Sequence, residues 1–446
     1  MSRSGTAGFE LRSGASWRDP FDMYARLRRD SPVHHVVDDA PDTGEHPDDR
    51  DYWVLTRHAD VFAASSDPET FSSAAGLTVL YGELDAIGLA DNPPLVMQDP
   101  PQHTAFRSLV ARGFTPRQVT AIEPRVREFV VERLERLADD GPADIVGELF
   151  KPLPSMVVAH YLGVPDEDWT RFDRWTSAIV GTITGPAEPA DAATESTTTT
   201  GTAADAAAST AADAALFAAA DAAGATTELL GYFGELVEHR RAHPGDDTVS
   251  ALVDAGVADD PAGLVSILAF VFTMITGGND TTTGMLGGSV DLLATRTDQR
   301  RRLVDDPTLV TDAVDELLRL TSPVQGLART TTRPVTYTDT PDGDVTIPQG
   351  RKVLLCYAAA NRDETVYGPD AEDLDVTRRP RRILTFGHGH HHCLGAAAAR
   401  MQARVALTEL LARHPEFDVD SDGITYAPGN YVRRPTYVPF YAGRRR

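Results

Sequence analysis

Apolar positions along this chain recur mostly every three or four residues, the spacing of a helix with one buried face. The pattern predicts helices over Pro20–Arg29, Ala59–Ser65 and Pro116–Ala138, and an apolar segment over Pro152–Leu162. Asp99-Pro100-Pro101 ends a loop and opens another helix through Leu109, because Pro fits a first helical turn. From Thr227 the helical period strengthens, giving Leu229–Arg241, Thr248–Ala255, Ala262–Ala294, Asp298–Asp305 and Val310–Leu320. Strand-like alternation is confined to short runs: Tyr52–Thr56, Val335–Tyr337, Val345–Ile347, Lys352–Tyr357, and positions near Tyr426 and Tyr437. A last long helix covers Ala396–Arg413. The expected fold is mainly α with small, mostly antiparallel β-sheets, in one large domain spanning residues 1–446 without internal repeats.

Two stretches fall outside this pattern. Asp38–Asp51 is acidic and reads as a solvated insertion. Pro186–Ala223 is dominated by Ala, Thr, Asp and Ser, a composition that cannot bury much core. It reads either as a poorly ordered connection or as a lid over a site.

Charge narrows the function. Lys plus Arg total 42 against 66 Asp plus Glu, a formal charge of -24. Such a chain is repelled by nucleic acid and by anionic lipid, so neither is expected as a partner. The longest nearly apolar run, Leu264–Ile275, is too short to span a bilayer and reads as a core helix. The start of the chain has no apolar signal region. Two cysteines, Cys356 and Cys393, do not make a disulfide framework. A cytoplasmic protein with reduced thiols is expected.

The segment richest in chemistry is Phe386-Gly387-His388-Gly389-His390-His391-His392-Cys393-Leu394-Gly395. Its glycines permit tight turns and close approach to a flat partner. Gly395 opens the helix beginning at Ala396, so a Cys393 thiolate would face a positive helix end and backbone N–H donors. A thiolate held this way suits an iron ligand. Two plainer readings stand beside it: a small buried apolar cysteine, which Cys356 is expected to be, or a zinc or nickel site made by the histidines. Adjacent histidines on one turn rarely converge on one metal.

The segment resembles the haem-binding loop of the cytochromes P-450, Phe-Gly-x-Gly-x-His/Arg-x-Cys-x-Gly, with every fixed position present. The resemblance implies that Cys393 is the metal ligand of a haem b and that His391 contacts a haem propionate. It also implies cofactor contacts by Phe386 and Gly395, and propionate contacts by His103, Arg107 and Arg329. Glu316-Leu317-Leu318-Arg319 resembles the family's Glu-x-x-Arg motif, with Arg378 as third member of a buried structural network. Gly277-Gly278-Asn279-Asp280-Thr281-Thr282 interrupts an apolar helix. Two interior glycines cost roughly 1 kcal/mol each relative to Ala, so the stretch reads as a functional kink or as a helix boundary. The resemblance makes it the oxygen-binding groove, with Gly277 and Gly278 beside the haem and Asp280 and Thr281 as the catalytic pair that manages proton delivery. The family often has Ala at the position of Gly277.

The activity implied by the resemblance is that of a monooxygenase, inserting one atom of dioxygen into a hydrophobic small molecule. No flavin or iron-sulfur motif is present, so electrons would come from separate partners, which the resemblance implies to be a ferredoxin and ferredoxin reductase. Arg378, Arg379, Arg381, Arg382, Arg400 and Arg404 surround the cysteine loop and read either as a docking patch or as solvated charge. Substrate contacts are expected around Val79–Leu89, Met274–Thr281, Val324–Leu327 and Asn430–Val432, with Gln325 and Asn430 as polar contacts or packing. Rival readings are a haem-thiolate enzyme that uses peroxide or catalyses another reaction, and a non-enzymatic haem or metal binder.

Overall fold

The computed structural model describes residues 8–37, 51–86, 88–137, 141–183 and 223–443. The acidic stretch at 38–50 and the low-complexity stretch at 186–222 lie outside the described residues.

The axis of the molecule is a 35-residue helix, Pro261–Thr295, here called the central helix. Its start follows from sequence: the Asp260 side chain accepts the Gly263 N–H at 2.7 Å, and Pro261 occupies the first turn. The helix runs unbroken through Gly277–Thr282, in keeping with the Ala262–Ala294 span, so this stretch is not a helix boundary. The side chains of Asn279 and Thr281 bond back to the carbonyls of Ile275 and Gly277, at 2.7 and 2.9 Å. This satisfies the Asn279 amide N–H and the Thr281 hydroxyl within the helix, while the buried Asn279 Oδ1 has no hydrogen-bond partner among the described residues. The span also exceeds the short apolar run read from sequence. By length and composition the helix is apolar enough to cross a membrane. Residues 282–290 are buried throughout, whereas in Leu264–Ile275 only Ile267, Phe270, Val271 and Ile275 are.

Around this axis pack Pro152–Leu162, Val310–Thr321 and Ala396–Arg413. The last also packs against Pro116–Leu134. One core cluster unites them through Val126, Val130, Leu286, Val290, Leu317 and Leu407, all at most 1% exposed. Each such side chain stabilises the fold by about 1.5–3 kcal/mol. A close approach by the C-terminal segment is built into the central helix: a Cβ on Gly284 would lie 2.8 Å from the Arg433 carbonyl oxygen.

The largest sheet has strand order Val33–Val36, Tyr52–Leu55, Lys352–Leu355, Leu327–Thr331, Phe71–Ser72. Its pairs are antiparallel except Tyr52–Leu55 with Lys352–Leu355, which is parallel in the register Tyr52↔Lys352. Cys356 follows this sheet and is 1% exposed, a small buried apolar residue as expected.

Candidate active site

The cysteine loop is folded by its own backbone. Gly387 and Gly389 have φ of 64° and 69°, the left-handed region that glycine tolerates. The Cys393 N–H donates to the Phe386 carbonyl at 2.9 Å, closing the loop. The helix His58–Ser66 seats it: a side chain on Gly389 would collide with the Ser65 carbonyl, and the His388 ring stacks on Phe62 at 4.0 Å.

Behind the loop lies a buried ion network. Arg319 and Glu316 are both fully buried and paired twice, Nε–Oε2 at 2.7 Å and Nη2–Oε1 at 2.8 Å. Arg378 reaches the same carboxylate at 3.1 Å, as the motif implied. Arg319 also donates to the carbonyls of Asn361 and Ala371. Asn361, to which the sequence pattern assigns no chemistry, is the joint. Its amide donates to Ser322 and Thr385 and accepts the Leu384 N–H, tying the network to the start of the loop.

On the accessible side the structure brings four cationic or ring donors together. His103 and His391 have ring centroids 4.3 Å apart. Arg107 donates through Nη2 to the His392 carbonyl, and its field acts on Cys393. Arg329 is buried, and its guanidinium bonds only to the Ala328 carbonyl among the described residues. None of these four makes an ion pair among the described residues. The nearby carboxylate of Asp99 is taken up by Ser72 Oγ and the Ser73 N–H. Burial, then Arg329, His103 and Arg107, push the His391 pKa down to about 3, so its imidazole is neutral. Its Nε2 lies 3.1 Å from Ser73 Oγ. His103 is 1% exposed and its Nδ1 has no hydrogen-bond partner. A buried arginine, a half-buried one and an orphaned ring nitrogen fit a ligand that carries carboxylates, as haem does.

Cys393 is reachable by solvent, yet it lies deep enough for desolvation to raise its thiol pKa, against the Gly395 N–H and the fields of Arg107 and Arg400. The Gly395 N–H lowers the pKa, the direction expected of a donor at the helix end, while burial works against it. The deprotonated form needs a further positive partner, which a metal ion supplies. Phe386 packs beneath the loop, with the Arg400 guanidinium 4.6 Å from its ring.

Leu394, next to Cys393, joins the same apolar cluster as Phe270, Val271 and Ile275, which sets the loop beside the central helix. There Gly277 is exposed, and a Cβ on it would meet no atom within 4 Å, whereas one on Gly278 would lie 2.8 Å from Val158 Cγ2. Gly277 thus lies on an open face and Gly278 on a helix contact. Thr281 shares the Gly277 side. Asp280 is buried, and its Oδ1 lies 3.0 Å from Arg434 Nε. Desolvation raises its pKa to about 6 against the fields of Arg434 and Lys151. Sequence reading missed Arg434, because in Arg433-Arg434-Pro435 nothing distinguishes the paired arginine from its neighbour.

Two expectations need revision. Gln325 is not a free polar contact: its Nε2 donates to the Ser322 carbonyl at 2.6 Å and its Oε1 accepts from Tyr24. The Asn430 amide donates to the Arg12 carbonyl at 3.1 Å. The arginine patch is also largely neutralised: Arg378 pairs with Glu316 and Asp370, Arg379 with Asp312, Arg400 with Asp315 and Arg404 with Glu123. Arg381 and Arg382 form no ion pair among the described residues. Among those residues, no group of three or more His, Cys, Asp or Glu is placed to hold a metal ion.

This combination of a mainly helical fold, a cysteine loop backed by a buried Glu-Arg network and a carboxylate-seeking cation cluster defines a haem-thiolate protein. The family model for cytochrome P450 matches residues 232–423. The chain is 61% identical over 434 residues to cytochrome P450 130 of Mycobacterium tuberculosis, covering 97% of each. It is 34% identical to a vitamin D(3) 25-hydroxylase of Pseudonocardia autotrophica, covering 100% of this chain and 99% of that one. It superimposes on CYP109E1 of Bacillus megaterium in complex with corticosterone with a TM-score of 0.73, at 27% identity and covering 96% and 99% of the two chains. The chain therefore belongs to the cytochrome P450 family. Members of that family are oxidoreductases of the monooxygenase class that bind haem b through a cysteine thiolate.

Proposed function

We propose that this chain is a cytoplasmic monooxygenase that hydroxylates a hydrophobic small molecule, with Cys393 as the haem ligand and electrons delivered by a ferredoxin and its reductase. The carrying observation is the cluster of His103, Arg107, Arg329 and His391 around the loop that presents Cys393, which forms no ion pair among the described residues. In this reading Arg107, Arg329 and His103 hold the propionates, while the neutral His391 donates or accepts one hydrogen bond. Phe386 and Gly395 would keep the sulfur in place, and Gly277 leaves room on the open face of the central helix, while Gly278, expected beside the haem, instead packs toward Val158. The bound haem activates dioxygen and supplies the oxidising power for insertion into a C–H bond. The protein's own task is proton supply and water exclusion. Asp280, with a carboxyl that titrates near neutrality, passes a proton inward, and the Thr281 hydroxyl holds it at the reacting face. Residues 1–446 act as one unit. A hydrophobic substrate is supported by the apolar residues of the central helix and by the relatives whose names carry vitamin D(3) and corticosterone.

The decisive test is the carbon monoxide difference spectrum of the reduced protein. A red-shifted, thiolate-type Soret band supports the reading; a histidine-type band, or protein without haem after expression with ample haem supply, overturns it. Thr281→Ala is expected to retain haem while product formed per electron falls by on the order of tenfold to a hundredfold. Unchanged coupling removes Thr281 from proton delivery.

For ferredoxin docking, the patch reduces to Arg381 and Arg382. Charge reversal there acts on association rate. Arg381→Glu should slow reduction by ferredoxin about threefold to tenfold at low salt, with the difference fading as salt rises. Stopped-flow reduction that is indifferent to both changes places docking elsewhere.

A further inference from the structure

Arg400 stands seven residues beyond Cys393, in the second turn of the helix that follows the cysteine loop. Two neighbours hold its guanidinium. Nε donates to Asp315 Oδ1 at 2.7 Å, on the helix Val310–Thr321. The guanidinium carbon lies 4.6 Å from the centre of the Phe386 ring, a cation–π distance. Phe386 is the residue whose carbonyl accepts the Cys393 N–H, so the cation rests on the closure of the loop itself. Its charge, with that of Arg107, favours an anion at Cys393. Arg107 has a second task, because it donates to the His392 carbonyl within the carboxylate-seeking cluster. Arg400 stands apart from that cluster, and its pairing with Asp315 takes it out of the free docking patch.

The pair does not cancel at the loop. Both side chains are partly exposed, at 37% and 36%, and the Asp315 carboxylate is not among the charges that act on Cys393. A net positive field therefore remains beside the sulfur. In the proposed reading a ferredoxin passes one electron to ferric iron, giving ferrous iron with no bond to Cys393 made or broken. The centre then carries one more negative charge next to an anionic sulfur. A fixed cation favours that state over the oxidised one, and net charge around a metal centre is one of the protein's levers on its potential. We infer that Arg400 raises the reduction potential of the haem iron, and that Asp315 limits the rise by drawing off part of its field. This rests on the proposed haem-thiolate reading, and the task is separate from docking.

Spectroelectrochemical titration of the holoenzyme tests this without any turnover. Arg400→Gln should lower the ratio of reduced to oxidised haem at a fixed potential about threefold to tenfold, which is about 30 to 60 mV at about 59 mV per tenfold for one electron. Asp315→Asn, nearly the same shape without the charge, should raise that ratio about twofold to threefold, as for a partly screened pair. Arg400→Lys keeps the charge and loses the planar group, so its ratio should stay within about twofold of the parent. A merely structural role, seating Phe386, would move Arg400→Gln and Asp315→Asn in the same direction, because each breaks the same ion pair. An unmoved potential in Arg400→Gln, or shifts of one sign in both, overturns the inference. Should Arg400→Gln fail to retain haem, the sign in Asp315→Asn decides: a rise supports the inference, and a fall or no change overturns it. The carbon monoxide difference spectrum of the parent separates the two levels. With a thiolate-type band present, an unmoved potential counts against Arg400 only; without that band the haem-thiolate reading itself fails, and the role of Arg400 falls with it.

Discussion

Cys393→Ser is expected to abolish the thiolate-type carbon monoxide spectrum and to take monooxygenase turnover below detection, while the protein remains folded. The fold does not lean on this side chain. The loop is closed by the Cys393 N–H to the Phe386 carbonyl, which Ser retains, and it is seated by Gly389 on the His58–Ser66 helix. What changes is the donor. A serine hydroxyl ionises far less readily than a thiol and donates less electron density to iron. The surroundings already raise the Cys393 pKa by desolvation, so a still weaker acid at this point stays protonated and binds iron poorly. Haem would then be held by its carboxylate contacts alone, with lower retention through desalting. An unaltered spectrum in the serine variant would show that the ligand is elsewhere, and the proposed function would fall with it.

Arg319→Met should destabilise the protein by about 3–5 kcal/mol, the cost of stranding a buried charge. Glu316 and Arg319 are both fully buried and share two hydrogen bonds. Removing the guanidinium leaves the Glu316 carboxylate with Arg378 and the Asp375 N–H as its remaining partners among the described residues. It also strips donors from the carbonyls of Asn361 and Ala371. Because Asn361 anchors Leu384 and Thr385, the loss should reach the cysteine loop and lower haem retention as well. The double variant Glu316→Leu/Arg319→Met should recover part of the loss, since a neutral pair avoids the uncompensated charge. Urea unfolding of the three proteins decides this. A single variant within about 1 kcal/mol of the parent, the usual worth of an exposed pair, would mean the network is not structural.

The parts of this architecture that were legible in the sequence are those with local rules. The central helix announces itself through its helical period over Ala262–Ala294, and the cysteine loop through fixed spacings. The Ala262–Ala294 span anticipated the uninterrupted course through Gly277–Thr282, whereas a boundary there was left open because propensity counts the cost of glycine and cannot see back-bonding by Asn279 and Thr281. Contacts between distant stretches were also invisible. The Arg434–Asp280 pair joins residues 154 positions apart, and no pattern in either neighbourhood predicts the other. For the same reason the arginines around the loop looked like a free patch, when Asp312, Asp315 and Glu123, far away in sequence, pair with half of them. Gln325 looked available because its partners, Tyr24 and the Ser322 carbonyl, are set by packing and by a turn.

The strand pairing in the large sheet has a bearing on biosynthesis. Tyr52–Leu55 takes its second neighbour from Lys352–Leu355, so the two sides of that ladder leave the ribosome about 300 residues apart. Contacts of such long range form late. Until then the amino-terminal hairpin is a two-stranded ribbon, marginally stable by itself. Nascent chains stopped short of residue 355 should be easily cleaved by protease within this hairpin, and resistance should appear only once the later strand has emerged.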